Sequence, residues 1–142
     1  MNERKLLVYW WPPGETHIEI RGIKPDGKFH GEILDRVRRR IDFAEGQLSA
    51  EDWCRCAELA SRIAAAPRIP SDAPEQGVLC AWTDSMMRPE FDFRYHHGDE
   101  VESEAARLFL ELSSLVRREA VKGHPEFTQQ SAAGYGSQAR RT

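Results

Sequence analysis

Covalent stabilisation is what this chain most plainly lacks. Its three cysteines, Cys54, Cys56 and Cys80, are odd in number and give no disulfide framework. Cys54 and Cys56 lie two apart in a segment of helical pattern, so their side chains diverge by about 200° around the axis and do not converge on one metal ion. They read as reduced packing residues. Long apolar runs are missing as well: none approaches the roughly 18 residues of a membrane span, and Leu6-Leu7-Val8-Tyr9-Trp10-Trp11 is too short for a signal-peptide core. The expectation is a cytoplasmic protein with no membrane partner. Positive charge is not in excess either. The formal net charge is −3; the stretch from Lys122 carries Lys122, Arg140 and Arg141 against Glu126, a local +2, which leaves −5 on residues 1 to 121. That balance argues against nucleic acid as a partner. Neither a glycine-rich phosphate loop nor a Gly-x-Ser-x-Gly elbow around Ser49, Ser71 or Ser85 is present, so no catalytic residue is assigned and no cofactor is expected.

What is present suits a self-sufficient core. The 142 residues are 40% hydrophobic and 30% charged, with four Trp and six Phe, too apolar and aromatic for a disordered chain. One α+β domain is expected over residues 1–122. From Gly123 the composition turns to Gly, Ser, Gln and Ala without periodicity, the pattern of a mobile tail over 123–142.

An internal echo organises the rest. Leu7-Val-Tyr-Trp10 and Ile18-Glu-Ile-Arg21 are answered by Leu79-Cys-Ala-Trp82 and Phe91-Asp-Phe-Arg94. The first strand stops at Pro12-Pro13-Gly14, and the second alternates His17, Glu19, Arg21 against Ile18, Ile20. Pro25-Asp26-Gly27 is a turn. Beyond Gly31 the apolar spacing becomes Ile33, Leu34, Val37, Ile41, one stripe of a helix. A second helix starts at Ser49, an N-cap, with the stripe Trp53, Cys56, Ala57, Ala60, Ile63, Ala64. Pro67, Pro70 and Pro74 bridge to the second unit. Its closing helix has Asp99, Glu100, Glu102 and Glu104 at the amino end and Arg117, Arg118 and Lys122 at the carboxyl end, as the helix dipole favours. Its stripe is Val101, Ala105, Leu108, Leu112, Leu115 and Val116. The expected fold is α+β: two strand-strand-helix units forming an antiparallel sheet of about four strands with helices packed on one face.

Matching the copies puts Leu6, Val8 and Trp10 on the same buried face as Val78, Cys80 and Trp82, and turns Glu19, Arg21, Asp92 and Arg94 outward. Trp11 points away from the core, and exposed aromatics are enriched at contact surfaces. The expected function is a protein-interaction or adaptor module whose open sheet face, through Trp11, Glu19, Arg21, Asp92 and Arg94, binds another protein. The rival is a small enzyme or metal-dependent ligand binder built on His96-His97-Gly98-Asp99-Glu100, because histidine and carboxylate bind zinc and move protons near neutral pH. His17 and His30 are its possible distant partners. In the run Arg36 to Arg40, Glu32 with Arg36, Asp35 with Arg39 and Arg38 with Asp42 share the four-residue spacing of helical ion pairs, and only Arg40 lacks such an acid.

Overall fold

Among the described residues, a sheet of six antiparallel strands carries two helices on one of its faces. The computed structural model describes residues 4–37 and 39–123; of the tail expected over 123–142, Gly123 belongs to the last helix and the rest, like the Arg38–Asp42 pair, lies outside the described residues. The strands are β1 (Lys5–Trp10), β2 (Ile18–Ile23), β3 (Lys28–Leu34), β4 (Arg40–Gln47), β5 (Glu75–Thr83) and β6 (Phe91–His96), in spatial order β4-β3-β2-β1-β5-β6. Helix α1 (Ala50–Ala65) follows β4, and α2 (Glu104–Gly123) closes the described chain after a short 3-10 turn over Asp99–Val101. No described helix is long and apolar enough to cross a membrane.

The α+β class, the antiparallel sheet and the one-sided helices agree with the sequence. Four strands become six because the stripe Ile33, Leu34, Val37, Ile41 belongs to a hairpin. Read at period 2, Phe29, Gly31 and Ile33 face the helices while Lys28, His30 and Glu32 face away. A carboxylate makes the reversal. Asp35 accepts hydrogen bonds from the Val37 and Arg39 amides at 3.0 and 2.9 Å, and Arg39 Nε reaches its other oxygen at 3.0 Å. Between β5 and β6, Asp84 does the same with the Met86 and Arg88 amides and with Arg88 Nε. The four-residue spacing of Asp35 and Arg39 is therefore that of a hairpin loop, and Glu32 meets Arg40 at 4.0 Å, the arginine for which helical spacing offers no acid.

Both helices start on serines. Ser49 Oγ accepts from the Asp52 amide at 3.1 Å, as the sequence predicts. Ser103 caps α2, four residues after the Asp99 start that the acidic cluster suggests: its Oγ accepts from the Ala106 amide at 3.1 Å. Val101 stays outside the helix and 80% exposed. The helices run antiparallel, with Arg55 on Glu111 and Arg62 3.8 Å from Glu104. Phe109 anchors α2 on the sheet above Gly77, where an added Cβ would stand 2.6 Å from its ring. Trp10, Phe93 and Tyr95 surround that ring at centroid distances of 6.4, 6.0 and 5.6 Å.

The echo misplaces β5 by one residue. Val8 pairs with Leu79 and Tyr9 with Val78, so Leu79 and Ala81 face the helices while Val78 and Cys80 lie on the other side. Trp82 still reaches the helices, through a bulge in which it and Ala81 stand opposite Leu6. Its φ of 55° is left-handed, and its ring meets Trp53 edge-on at 6.0 Å.

The larger correction concerns β2. Its alternation holds, but the faces are reversed: Glu19 and Arg21 are 0% and 2% exposed on the helix side, and Ile20 faces out. Glu19 Oε1 accepts from Arg21 Nη1 at 2.7 Å and lies 3.4 Å from Arg117 Nε of α2; its Oε2 is 3.5 Å from His17 Nε2. Burial pushes the Glu19 carboxyl up, but the His17 contact and the charges of Arg21 and Arg117 outweigh it and hold the group below the usual glutamate range. Burial lowers the Arg21 guanidinium, and Glu19 opposes that.

Removing one member of a buried ion pair strands the other, so Glu19→Ala is expected to lose about 3–5 kcal/mol in urea unfolding. The double variant Glu19→Leu, Arg21→Met should recover most of that; a double variant as unstable as the single would refute the pairing. Because the folded Glu19 carboxyl has the lower pKa, its contribution is complete above the unfolded value of about 4.3 and fades as pH falls through the folded value. Asp35 and Asp84, held down first by the Arg39 and Arg88 amides respectively, act in the same direction. Glu19→Gln should therefore show a shallower loss of stability between about pH 5 and pH 3 than the unaltered protein; equal slopes would exclude Glu19 as a source.

Candidate functional site

The face away from the helices shows cross-strand rows that the ladders fix. Tyr9, Ile20, Glu32 and Phe43 form one row, with Val78 and Arg94 extending it across β5 and β6. The next row holds Leu7, Gly22, His30 and Glu45, extended by Cys80 and Asp92. Beyond it, the pairing of Leu6 with Ile23 brings Lys5 beside Lys24, whose amide donates to the Lys28 carbonyl at 2.9 Å. The β1, β2 and β3 members of these rows, with Glu45, line an open groove of about 360 Å³. Leu7, Tyr9 and Ile20 give it an apolar floor, and Gly22, without a side chain, deepens that floor beside Leu7.

The groove is chemically divided. At one end stand Lys5, Lys24 and Lys28, three of the four lysines in the chain. Among the described residues neither Lys5 nor Lys28 makes an ion pair, whereas Arg4, Arg39, Arg40, Arg55, Arg62, Arg88, Arg94 and Arg117 each have an acid within 4.0 Å. Glu45, in the row next to the lysines, and Glu32, one row farther, carry the opposite sign. Glu32 is partly answered by His30 at 3.6 Å and by Arg40, whose guanidinium also lies 4.8 Å above the Phe43 ring. Tyr9 and Trp11 stack at 6.4 Å on the same face.

Of the residues expected to bind a partner, Trp11, Asp92 and Arg94 lie on this face. Arg94 is held by Glu75 at 3.0 Å and by Asp92 at 3.5 Å, and its guanidinium is raised first by the Glu75 hydrogen bond. Glu19 and Arg21 belong to the buried pair beneath α2 and do not join it. The lysine row escapes a reading of the sequence because Lys5, Lys24 and Lys28 are scattered around turns. Only the strand pairing aligns them.

The histidine cluster does not converge. His96 Nδ1 lies 3.4 Å from Asp99 Oδ2, an oxygen that also accepts from the His96 amide at 3.1 Å, while His97 Nδ1 lies 3.2 Å from Gln76 Oε1. Glu100 accepts instead from the Tyr95 hydroxyl at 2.8 Å; burial and that bond push the phenol up to about 12. His97 and Asp99 border a shallow hollow with Pro70 and Ser71. Among the described residues no three of His, Cys, Asp or Glu come together as metal ligands would. Of the cysteines, Cys54 is exposed and Cys56 buried, as their helical divergence requires; burial, then Asp92, raises the Cys80 thiol.

Neither a family model, nor a curated protein, nor a solved structure matches this chain.

Like charges directly opposite in a sheet destabilise it by about 0.2–1 kcal/mol per pair. Lys28→Glu is therefore expected to raise the thermal midpoint slightly. A lower midpoint would show that Lys28 has a stabilising partner in the folded protein.

Proposed function

We propose that the chain is a protein-interaction module that docks a protein partner on its open sheet face, acting in the cytosol, where its free thiols stay reduced. The observation that carries this reading is the groove itself. It sets apolar and aromatic side chains, Leu7, Tyr9 and Ile20, among charged rims on a face that no described helix covers. Buried anchors inside a polar rim are the usual anatomy of a contact surface. Trp11 extends the apolar strip through its stack on Tyr9.

Photocrosslinking inside the native cell tests the face directly. With p-benzoylphenylalanine placed at Ile20, a discrete crosslinked protein is expected. The same probe at Arg62, on the exposed side of α1, should capture none. Trp11→Ala should weaken the crosslink from position 20 while leaving the thermal midpoint within a few degrees of the unaltered protein. Crosslinks arising only from position 62, or none from position 20, would overturn the reading.

A further inference from the structure

Beyond the docking face, we propose that β4 is the seam of a symmetric dimer, in which the β4 strands of two copies pair antiparallel and join their sheets into one. The two outer strands of the sheet differ in what lies beside them. Along β6 the connection that follows α1 closes the edge: Arg68 Nη2 donates to the Asp92 carbonyl at 2.9 Å, its guanidinium lies 5.4 Å from the Phe93 ring, and Ile69, Pro70 and Ser71 border the same strand. Beyond β4 no described strand follows. Its eight residues include neither proline nor lysine, which commonly keep an edge from pairing. The ladder to β3 shows which groups β4 presents. The Leu48 amide donates to the Gly27 carbonyl at 2.8 Å, so that pair exchanges bonds, and by alternation Gly46 and Ala44 do so with Phe29 and Gly31. The backbone groups of Phe43, Glu45 and Gln47 therefore turn to the outer side, while their side chains share the open face with Glu32, His30 and Lys28.

Those side chains complement one another when the strand meets its own copy. In such a pair like faces coincide only if the two-fold axis passes through a residue of β4. With the axis at Phe43, which is 47% exposed, ring meets ring across the seam. The ladder skips position 41, pairing Ile33 with Asp42 and Leu34 with Arg40, and this brings Arg40 of the second copy beside Glu45, about one strand spacing or 4.8 Å away. Arg40 already lies on the open face, 4.8 Å from the Phe43 ring and 4.0 Å from Glu32. Other registers are poorer. An axis at Glu45 sets two carboxylates opposite each other, and one at Ala44 sets each carboxylate against a ring. A foreign extended segment meets the same backbone groups, but it must bring the aromatic side chain and the cation that a second copy already carries at the right spacing. The dimer sets two open faces side by side on one surface, so a partner with two sites engages both.

Sedimentation velocity on the full chain, from about 10 µM to about 500 µM, is expected to show dimer growing with concentration. Glu45→Pro removes an outward amide while leaving the bonds to β3 in place, and should leave only monomer. Glu45→Arg keeps that amide but faces Arg40 of the second copy, and should weaken dimerisation at least about tenfold. Thermal midpoints within a few degrees of the unaltered protein show that the fold is kept; if the proline variant melts early, the arginine variant decides. A disulfide reads the register. In a chain carrying Cys54→Ser and Cys80→Ser, Phe43→Cys should yield a disulfide-linked dimer on mild oxidation, because directly opposed residues that exchange bonds stand about 5.5 Å apart at Cα. Glu45→Cys should yield none, since the two copies of that residue are offset by about 13 Å along the strands. A chain that stays monomeric at every concentration, a dimer untouched by either Glu45 variant, or a disulfide that forms from position 45 and not from 43 would each overturn the proposal.

Discussion

The seat of Phe109 over Gly77 is the contact on which the rest of the arrangement depends. A methyl group at position 77 would occupy the space the ring now fills, so only glycine lets α2 approach β5 this closely. From there the helix crosses the sheet toward β4. Arg117 comes eight residues later, about 12 Å along the axis, which carries it past β1 to β2 at roughly 4.8 Å per strand. Its guanidinium lies 5.5 Å from the Trp10 ring and its Nε 3.4 Å from Glu19. Helix α1 is then held by its contacts to α2 and by Trp53 on Trp82. Both described helices are used on one face, and none of them covers the other.

That commitment explains the reversed strand. A glutamate and an arginine under a helix are tolerable only if each finds its charge partner, and here the pair lies within hydrogen-bonding distance and is joined by a third charge from α2. With the polar residues of β2 turned inward, Ile20 is turned outward beside Leu7 and Tyr9. The apolar floor of the groove and the buried ion pair are two sides of one strand. Neither arises without the other, because successive side chains of a strand point to opposite faces.

Much of the architecture was legible because it rests on local chemistry. The turns at Pro12-Pro13-Gly14 and Pro25-Asp26-Gly27, the Ser49 cap, the α2 stripe from Ala105 to Val116 and the divergence of Cys54 from Cys56 all follow from neighbours in sequence. The helix expected over Ile33 to Ile41 failed because a few apolar residues at three- and four-residue spacing also fit two strands joined by a loop. Asp35 favours the loop by bonding its own backbone two and four residues on. The internal repeat expected from the echo is not supported by the fold: the like reversals at Asp35 to Arg39 and Asp84 to Arg88 join β3 to β4 and β5 to β6, strands that the echo does not match. It fails at the level of strand faces, where the bulge at Trp82 and a one-residue offset in β5 undo the match. Of the candidate site, Trp11, Asp92 and Arg94 were legible, whereas Tyr9, Ile20 and the lysine row were not grouped with them.

By itself the sequence determined the α+β class, an antiparallel sheet with helices on one side, and the alternation of β1, β2 and β6. Only the tertiary structure decided which side of β2 is inside, how β5 registers on β1, and that Lys5, Lys24 and Lys28 stand in one row. The physical reason is one of range. Alternation is set by the pleat of a single strand, but the sign of a face depends on what covers it. For Glu19 and Arg21 that cover includes Arg117, brought from the far end of the chain by the packing of Phe109.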